Sequence, residues 1–241
     1  MLVRAYLPKL ITALFGGLFI AAGILTFGNA LVFDRIFIGI LLFTGFVCRK
    51  DINVLGIIII LAVIRVLEEV LWFIFAEELY NYWLAKIIIY LLLFFVIYKF
   101  WFDKMSKISL MILLLCISAE IYWILIGYNA APAIYWYAAL VGLGLLTRHF
   151  LFSRIQMTEQ FTSKSGKSIN LDWYIYQVTR IYIFIEGLNI FEYILRHVFQ
   201  LKHIQIIYYV YPYIMQSLAT FTLWIVFNEA NKLFKERLIS A

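Results

Sequence analysis

Long apolar segments are the feature of this sequence that most restricts its fold. A helix needs about 20 mostly apolar residues to cross the hydrocarbon core of a bilayer, and eight segments meet or approach that length. They are residues 10–27, 31–48, 54–75, 83–101, 108–127, 132–150, 171–195 and 204–227. Backbone groups cannot stay unpaired in hydrocarbon, and runs this long favour helices over barrel strands. The sequence therefore predicts an all-α, polytopic membrane helix bundle with eight transmembrane helices, forming a single domain over residues 1–241.

Composition indicates the same class of protein. The chain is 65% hydrophobic and only 14% charged, whereas soluble domains are about 45–50% apolar and about 25% charged. This balance argues against a soluble enzyme, a disordered chain and a secreted disulfide scaffold. Both cysteines, Cys48 and Cys116, lie inside apolar runs without metal-type spacing, so no disulfide is expected. The apolar run at residues 10–27 is longer than a usual signal-peptide core, and we expect an uncleaved first span.

The distribution of lysine and arginine predicts the orientation. With eight spans, fourteen of the twenty lysines and arginines fall in connections on one side, four fall on the other side and two lie inside spans. Cytoplasmic loops carry the excess of positive charge, so both termini are expected in the cytoplasm, in a cell membrane such as a bacterial inner membrane. The same bias explains the net charge of +6 without a nucleic-acid partner. For residues 171–195 the alternative is a helix lying at the membrane surface.

A faint internal repeat is a second organisational feature. Residues 8–104 and 107–232 contain matching short patterns in the same order, including Arg65 opposite Arg180. Four spans in each unit would give a parallel 4+4 repeat, and chance alignment of apolar sequences is the alternative. The longest polar stretch, residues 153–170, contains serines and a glycine that predict a flexible cytoplasmic loop.

Ionisable side chains inside the predicted spans are the candidates for a functional site. An isolated charge at a helix centre costs about 2.5–3.5 kcal/mol on insertion scales, so such groups must pair, become neutral or contact water. Four glutamates each lie three to five residues beyond the centre of the third, fifth or seventh span: Glu68, Glu69, Glu120 and Glu186. We therefore expect their side chains to converge in one layer of the bilayer. The candidates inside the spans are Arg65, Glu68, Glu69, Glu120, Arg180 and Glu186.

Spacing suggests which of these charges pair. Arg65 precedes Glu68 and Glu69 by three and four residues, which permits pairing within one helix. Arg180 is better placed for partners on neighbouring helices. Glu120 has no obvious cationic partner, so it would need a neutral form, a bound cation or a hydrated cavity. The alternative is that all these groups are interhelical contacts that only fix the packing.

Enzyme motifs are scarce in this sequence. Residues 165–168 (Ser-Gly-Lys-Ser) end like a phosphate-binding loop but lack its leading glycine, and no strand precedes them. The three histidines are scattered, so we expect neither a metal site nor a cofactor and identify no catalytic residue. A non-enzymatic role is favoured.

The leading functional hypothesis is transport or permeation of a proton, a cation or a small cationic ligand. Glu68, Glu69, Glu120 and Glu186 would form the acidic intramembrane site, while Arg65 and Arg180 position and partly neutralise them. Glu192 and nearby aromatic side chains would line an outward vestibule for a cationic ligand, with an interfacial aromatic belt as the alternative. The other hypotheses are a membrane sensor or scaffold subunit that acts through a protein partner or as a homo-oligomer, and a lipid-modifying enzyme.

Overall fold

The described part of the chain is entirely helical apart from its connections. A computed structural model describes residues 30–73, 83–128, 134–162, 164–201 and 203–240. Within these ranges there are seven helices and no strand, so the all-α prediction is confirmed there. The helices are α1 (Ala30–Val47), α2 (Ile52–Leu71), α3 (Trp83–Lys99), α4 (Lys104–Leu125), α5 (Ile134–Thr162), α6 (Asn170–His197) and α7 (Ile206–Ser240). The predicted first span, residues 10–27, lies outside the described residues.

Three of the described helices are long and apolar enough to cross a membrane. They are α4 over Lys104–Leu125, α5 over Ile134–Thr162 and α7 over Ile206–Lys232. This finding supports a membrane protein, whereas the number of eight spans and the 4+4 repeat stay predictions. Helix α6 is not among the three, and it carries acidic and basic side chains along its length. A membrane crossing by α6, with a surface helix as the alternative, stays a prediction.

The connection between α5 and α6 differs from its prediction. Helix α5 continues through Thr162 and α6 begins at Asn170, so the expectation of a loop is wrong for residues 153–162. The remaining connection is held by polar contacts, because the backbone N–H of Lys167 donates to Asn53 Oδ1 at 2.8 Å. Gly166 packs closely on this helix: a Cβ there would lie 3.3 Å from the Ile155 backbone. Most side chains of this connection are exposed, and its backbone is held by contacts with Asn53, Arg154 and Asp172 on the neighbouring helices.

The chain folds into two compact units built from interleaved segments. Unit 1 contains the described residues up to Val63, together with Leu151–Val178 and the residues from Pro212 onwards. Unit 2 contains Ile64–Phe150 and Thr179–Tyr211. These boundaries do not follow the predicted repeat units 8–104 and 107–232, and the repeat stays a prediction.

The core of unit 2 is formed by apolar faces of α3, α4, α5 and α6. Glycines allow the helices to approach closely: a Cβ on Gly144 would lie 2.7 Å from Ile183 Cγ1, and one on Gly187 would lie 2.9 Å from Ile112 Cδ1. In a bilayer such close contact matters, because helices associate through van der Waals packing and not through release of water. The buried cluster includes Leu93, Ile97, Ile112, Leu113, Cys116, Ala138, Val141, Leu145, Ile183 and Ile190.

Candidate functional site

All seven candidate site residues belong to unit 2, but they do not form one cluster. The structure divides them between the C-terminal half of α2, the C-terminal half of α4 and three positions six residues apart on α6. The contacts of each group determine which side chains remain available for a ligand.

The first group is an ion-paired cluster within one helix. Arg65 NH1 lies 2.6 Å from Glu68 Oε2, and Arg65 NH2 lies 3.5 Å from Glu69 Oε1. Both pairs have the spacing of neighbours on a helix surface, so the expected pairing within α2 is confirmed. The guanidinium therefore neutralises part of the charge of the two glutamates.

The second group surrounds Glu120 on α4. Lys86 Nζ lies 3.5 Å from Glu120 Oε2, and the Tyr90 hydroxyl donates to Oε1 at 3.4 Å. The expectation that Glu120 lacks a cationic partner is therefore wrong. Lys86 is one of the four basic residues assigned to the outer side by the charge distribution, and the structure places it as the fourth residue of α3, one turn before Tyr90. Lys86 also lies 5.7 Å from the centre of the Tyr135 ring.

The third group contains the most deeply buried carboxyl of the seven. Glu186 is 0% exposed, and its Oε1 accepts a hydrogen bond of 2.6 Å from the Tyr211 hydroxyl. Its other carboxyl oxygen, Oε2, is buried and has no hydrogen-bond partner among the residues that the structure describes. The Tyr182 hydroxyl is a second hydrogen-bonding neighbour of this carboxyl, and Glu68 is a charged neighbour.

Asn189 extends this third group by one helical turn. The residue is 1% exposed, and its Nδ2 has no hydrogen-bond partner within the described ranges. Tyr137 lies beside it and makes an edge-to-face contact with Tyr211, with ring centres 5.8 Å apart. Buried polar atoms are satisfied in the large majority of cases, and two of the six unsatisfied side-chain atoms in the described residues lie one turn apart on α6. We call Glu186, Asn189, Tyr137, Tyr182 and Tyr211 the Glu186 site.

Glu192 caps the N-terminus of α7. Its carboxylate accepts hydrogen bonds from the backbone N–H groups of Ile207 and Tyr208, at 2.6 and 2.9 Å. These groups open α7, where N–H donors lack partners inside the helix and a negative charge is favourable. Arg196 adds a distant ion pair of 3.8 Å and lies 4.8 Å from the centre of the Tyr208 ring. A ligand-binding role for Glu192 stays a prediction.

Arg180 does not join the other candidates. Its side chain is exposed, and no ion pair connects it to a carboxylate in the described part of the chain. The expectation that Arg180 partly neutralises the glutamates is therefore not met by the geometry. Convergence is also only partial: Glu68 and Glu186 are neighbours, whereas Glu120 interacts with Lys86, Tyr90 and Cys116.

Two buried Arg–Asp pairs were not predicted from the sequence. In unit 2, Arg148 Nε lies 2.6 Å from Asp103 Oδ2, and Asp103 also caps α4 by accepting from the backbone N–H of Met105. In unit 1, Arg154 Nε lies 2.6 Å from Asp172 Oδ1. Arg148 and Arg154 are among the fourteen basic residues on the predicted cytoplasmic side, and the sequence suggested no partner for either. An aspartate next to the start of a predicted helix was the signal that could have revealed each pair.

The described residues contain no group of three or more His, Cys, Asp or Glu side chains placed to hold a metal ion. The Glu186 site contains one carboxyl, one amide and three phenols, which are groups that exchange protons and form hydrogen bonds. Comparison with known proteins adds no assignment, because no family model, no curated protein and no solved structure matches the chain.

Proposed function

We propose that this chain is a membrane transport or permeation protein that moves a proton, a cation or a small cationic ligand through the Glu186 site. One observation carries the proposal: Glu186 is fully buried and leaves Oε2 without a hydrogen-bond partner among the described residues. An ionisable residue inside a membrane protein is by default a functional candidate, because packing alone is better served by apolar side chains.

The energetics of burial support this proposal. A buried polar atom without a partner costs about 1–3 kcal/mol, and Glu186 and Asn189 contribute one such atom each. A methionine or leucine at either position would avoid that cost. An occupant that satisfies both atoms would recover the lost free energy, which is how a binding site differs from a packing contact.

Glu120 is a second binding position for the transported species in this proposal. Its two side-chain contacts are long, at 3.4 and 3.5 Å, compared with 2.6 Å for the Tyr211–Glu186 bond. A cation near Glu120 would compete with the Lys86 ammonium for the same carboxylate. Glu68 and Glu69 serve as charges near the site, with Arg65 holding them in place.

A sensor or scaffold subunit is the second candidate function. The observation that favours it is the number of charged groups used in internal contacts, such as Arg148 with Asp103 and Arg154 with Asp172. A protein of this kind would have a fixed interior, and its partner would bind elsewhere. It would also tolerate Glu186→Gln without loss of function.

Flux across vesicles distinguishes the two candidates. The purified chain, Glu186→Gln and Glu120→Gln would each be reconstituted, with Glu159→Gln as a matched control because Glu159 is exposed and outside the site. We expect cation or proton flux to fall at least tenfold in Glu186→Gln, to fall less in Glu120→Gln and to be unchanged in the control. Equal flux in all four proteins would refute a transport role for the glutamates.

The proposed location is a bacterial inner membrane with both termini in the cytoplasm. Ser240→Cys should resist an impermeant thiol reagent added to intact cells, and Asn129→Cys, in a predicted outer connection, should react. Both native cysteines are buried, so background labelling should be low. Reaction of Ser240→Cys from outside would show that the orientation is wrong.

A further inference from the structure

Two buried atoms on α6 without hydrogen-bond partners among the described residues, Glu186 Oε2 and Asn189 Nδ2, can act as acceptor and donor to the same small molecule. Glu186 Oε2 is an acceptor when the carboxyl is ionised and a donor when it is protonated, whereas Asn189 Nδ2 is always a donor. Neither atom has a hydrogen-bond partner in the described part of the chain. Residues three apart on a helix have Cβ atoms about 5–6 Å apart, a separation that one water molecule can bridge.

A metal cation does not fit this pair of atoms. Hard cations such as Mg²⁺ and Ca²⁺ take about six to eight oxygen ligands, and the Glu186 site offers one free carboxylate oxygen. The Asn189 N–H groups have no lone pair to offer as a metal ligand. Arg65 adds a positive charge near Tyr182, which belongs to the same site.

The groups around Glu186 do not supply a cation to pair with its ionised form. Tyr182 lies on the same helix, Tyr211 approaches from α7, and the ion-paired Glu68 approaches from α2. Tyr137 approaches from α5. No ion pair joins Glu186 to a cation among the described side chains. A buried carboxyl in such surroundings takes the neutral form, because burying an unpaired carboxylate costs far more free energy than protonating it.

We propose that the species carried at this site is a proton, held on Glu186 Oε2 and connected to Asn189 by one water molecule. The proposal rests on the transport function proposed above and narrows its substrate. A hydronium ion gives its proton to Oε2 and is left as water. That water accepts from Asn189 in both states, while it accepts from the protonated carboxyl and donates to the ionised one. The same water molecule can therefore deliver the proton to Glu186 and take it away again while it stays between Glu186 and Asn189.

Infrared spectroscopy of the full chain in lipid tests this inference directly. At neutral pH the wild-type protein should show a protonated-carboxyl C=O band that shifts in D₂O, and Glu186→Gln should lose it. Glu159→Gln should keep it. Addition of sodium or potassium chloride should leave the band unchanged. Absence of a Glu186-dependent band, or its conversion to a carboxylate band by either salt, would overturn the inference.

A second variant, Tyr211→Phe, keeps the inference testable if Glu186→Gln fails to fold. Tyr211→Phe keeps the carboxyl but removes the hydroxyl that donates to Oε1 at 2.6 Å. We expect the C=O band to persist in Tyr211→Phe and to move to higher frequency, because its hydrogen bond is lost. A band at the wild-type frequency in this variant would assign it to another carboxyl and would overturn the inference.

Parallel flux measurements separate this inference from the proposed function. Vesicles would carry a pH-sensitive dye in one arm and sodium- or potassium-sensitive dyes in the others. Glu186-dependent proton flux supports both proposals. Glu186-dependent sodium or potassium flux without proton flux overturns the proton assignment and leaves the transport function standing. Absence of any Glu186-dependent flux refutes transport, while the spectrum still decides whether a proton occupies the site.

Discussion

Removal of Arg154 is the sharpest stability test that unit 1 offers. The residue is 1% exposed, and its guanidinium donates to both carboxylate oxygens of Asp172, at 2.6 and 2.7 Å. It also donates to the Lys167 carbonyl at 2.7 Å and to Asn53 Oδ1 at 3.3 Å. One side chain thus connects α5 with the start of α6, the start of α2 and the connection before α6. Arg154→Met keeps the length of the aliphatic stem and removes all four contacts.

The expected magnitude follows from the burial of the two partners. Breaking a buried ion pair by removing one partner costs about 3–5 kcal/mol. The Asp172 side chain is 16% exposed and still accepts from the Ile169 backbone N–H at 2.9 Å, so water and this bond compensate in part. We therefore expect Arg154→Met to lower the free energy of unfolding by about 3 kcal/mol, at the lower end of that range.

A double-mutant cycle identifies the origin of that loss. Asp172→Asn alone leaves the buried guanidinium without its counter-ion and should also cost about 3 kcal/mol. Arg154→Met with Asp172→Asn removes both charges and leaves mainly the Lys167 carbonyl without a donor, which costs about 1–2 kcal/mol. The double variant should thus lose about 4 kcal/mol less than the sum of the single losses.

Unfolding in mixed micelles with increasing dodecyl sulfate, followed by tryptophan fluorescence, would measure these free energies. Arg180→Met is the matched control, because it is the same substitution at an exposed position. It should change stability by less than about 0.5 kcal/mol. The reasoning is refuted if Arg154→Met costs under about 1 kcal/mol, or if the two single losses simply add in the double variant.

Three further predictions concern unit 2. Asp103→Ala should cost about 3–5 kcal/mol in the same assay, because it leaves the buried Arg148 without its partner and removes the cap of α4, whereas Asp103→Asn should keep part of the cap. Gly144→Ala should cost about 1–3 kcal/mol by overpacking, since the new Cβ would lie 2.7 Å from Ile183 Cγ1; unchanged stability would show that the helices can separate there. Burial and then the neighbouring Arg196 lower the pKa of His197, at the end of α6, below its usual 6.5, so protonation favours the unfolded chain. Stability should therefore hold above about pH 6.5 and fall as the pH drops through the lowered pKa, and His197→Gln should reduce that fall relative to wild type.

The candidate site was only partly predictable from sequence, and the reason differs between residues. Pairing of Arg65 with Glu68 and Glu69 depends on helical periodicity alone, so residue spacing was sufficient. Pairing of Glu120 with Lys86 depends on which faces of α3 and α4 meet, which spacing along one chain does not contain. The exposure of Arg180 could not be predicted for the same reason, because the sequence does not show which face of α6 packs against the other helices. The role of Glu192 required knowledge of where α7 begins.

Helix formation and membrane character follow from the sequence by itself. Long apolar runs must satisfy their own backbone hydrogen bonds in hydrocarbon, and only helices of this length do so without neighbours. Tertiary structure decided everything that depends on partners distant in the chain: the continuation of α5 to Thr162, the contacts around Arg154 and the isolation of Glu186 from cations. A hydrogen bond or an ion pair needs two groups within about 3–4 Å, and for groups on different helices only the packing of those helices brings them that close.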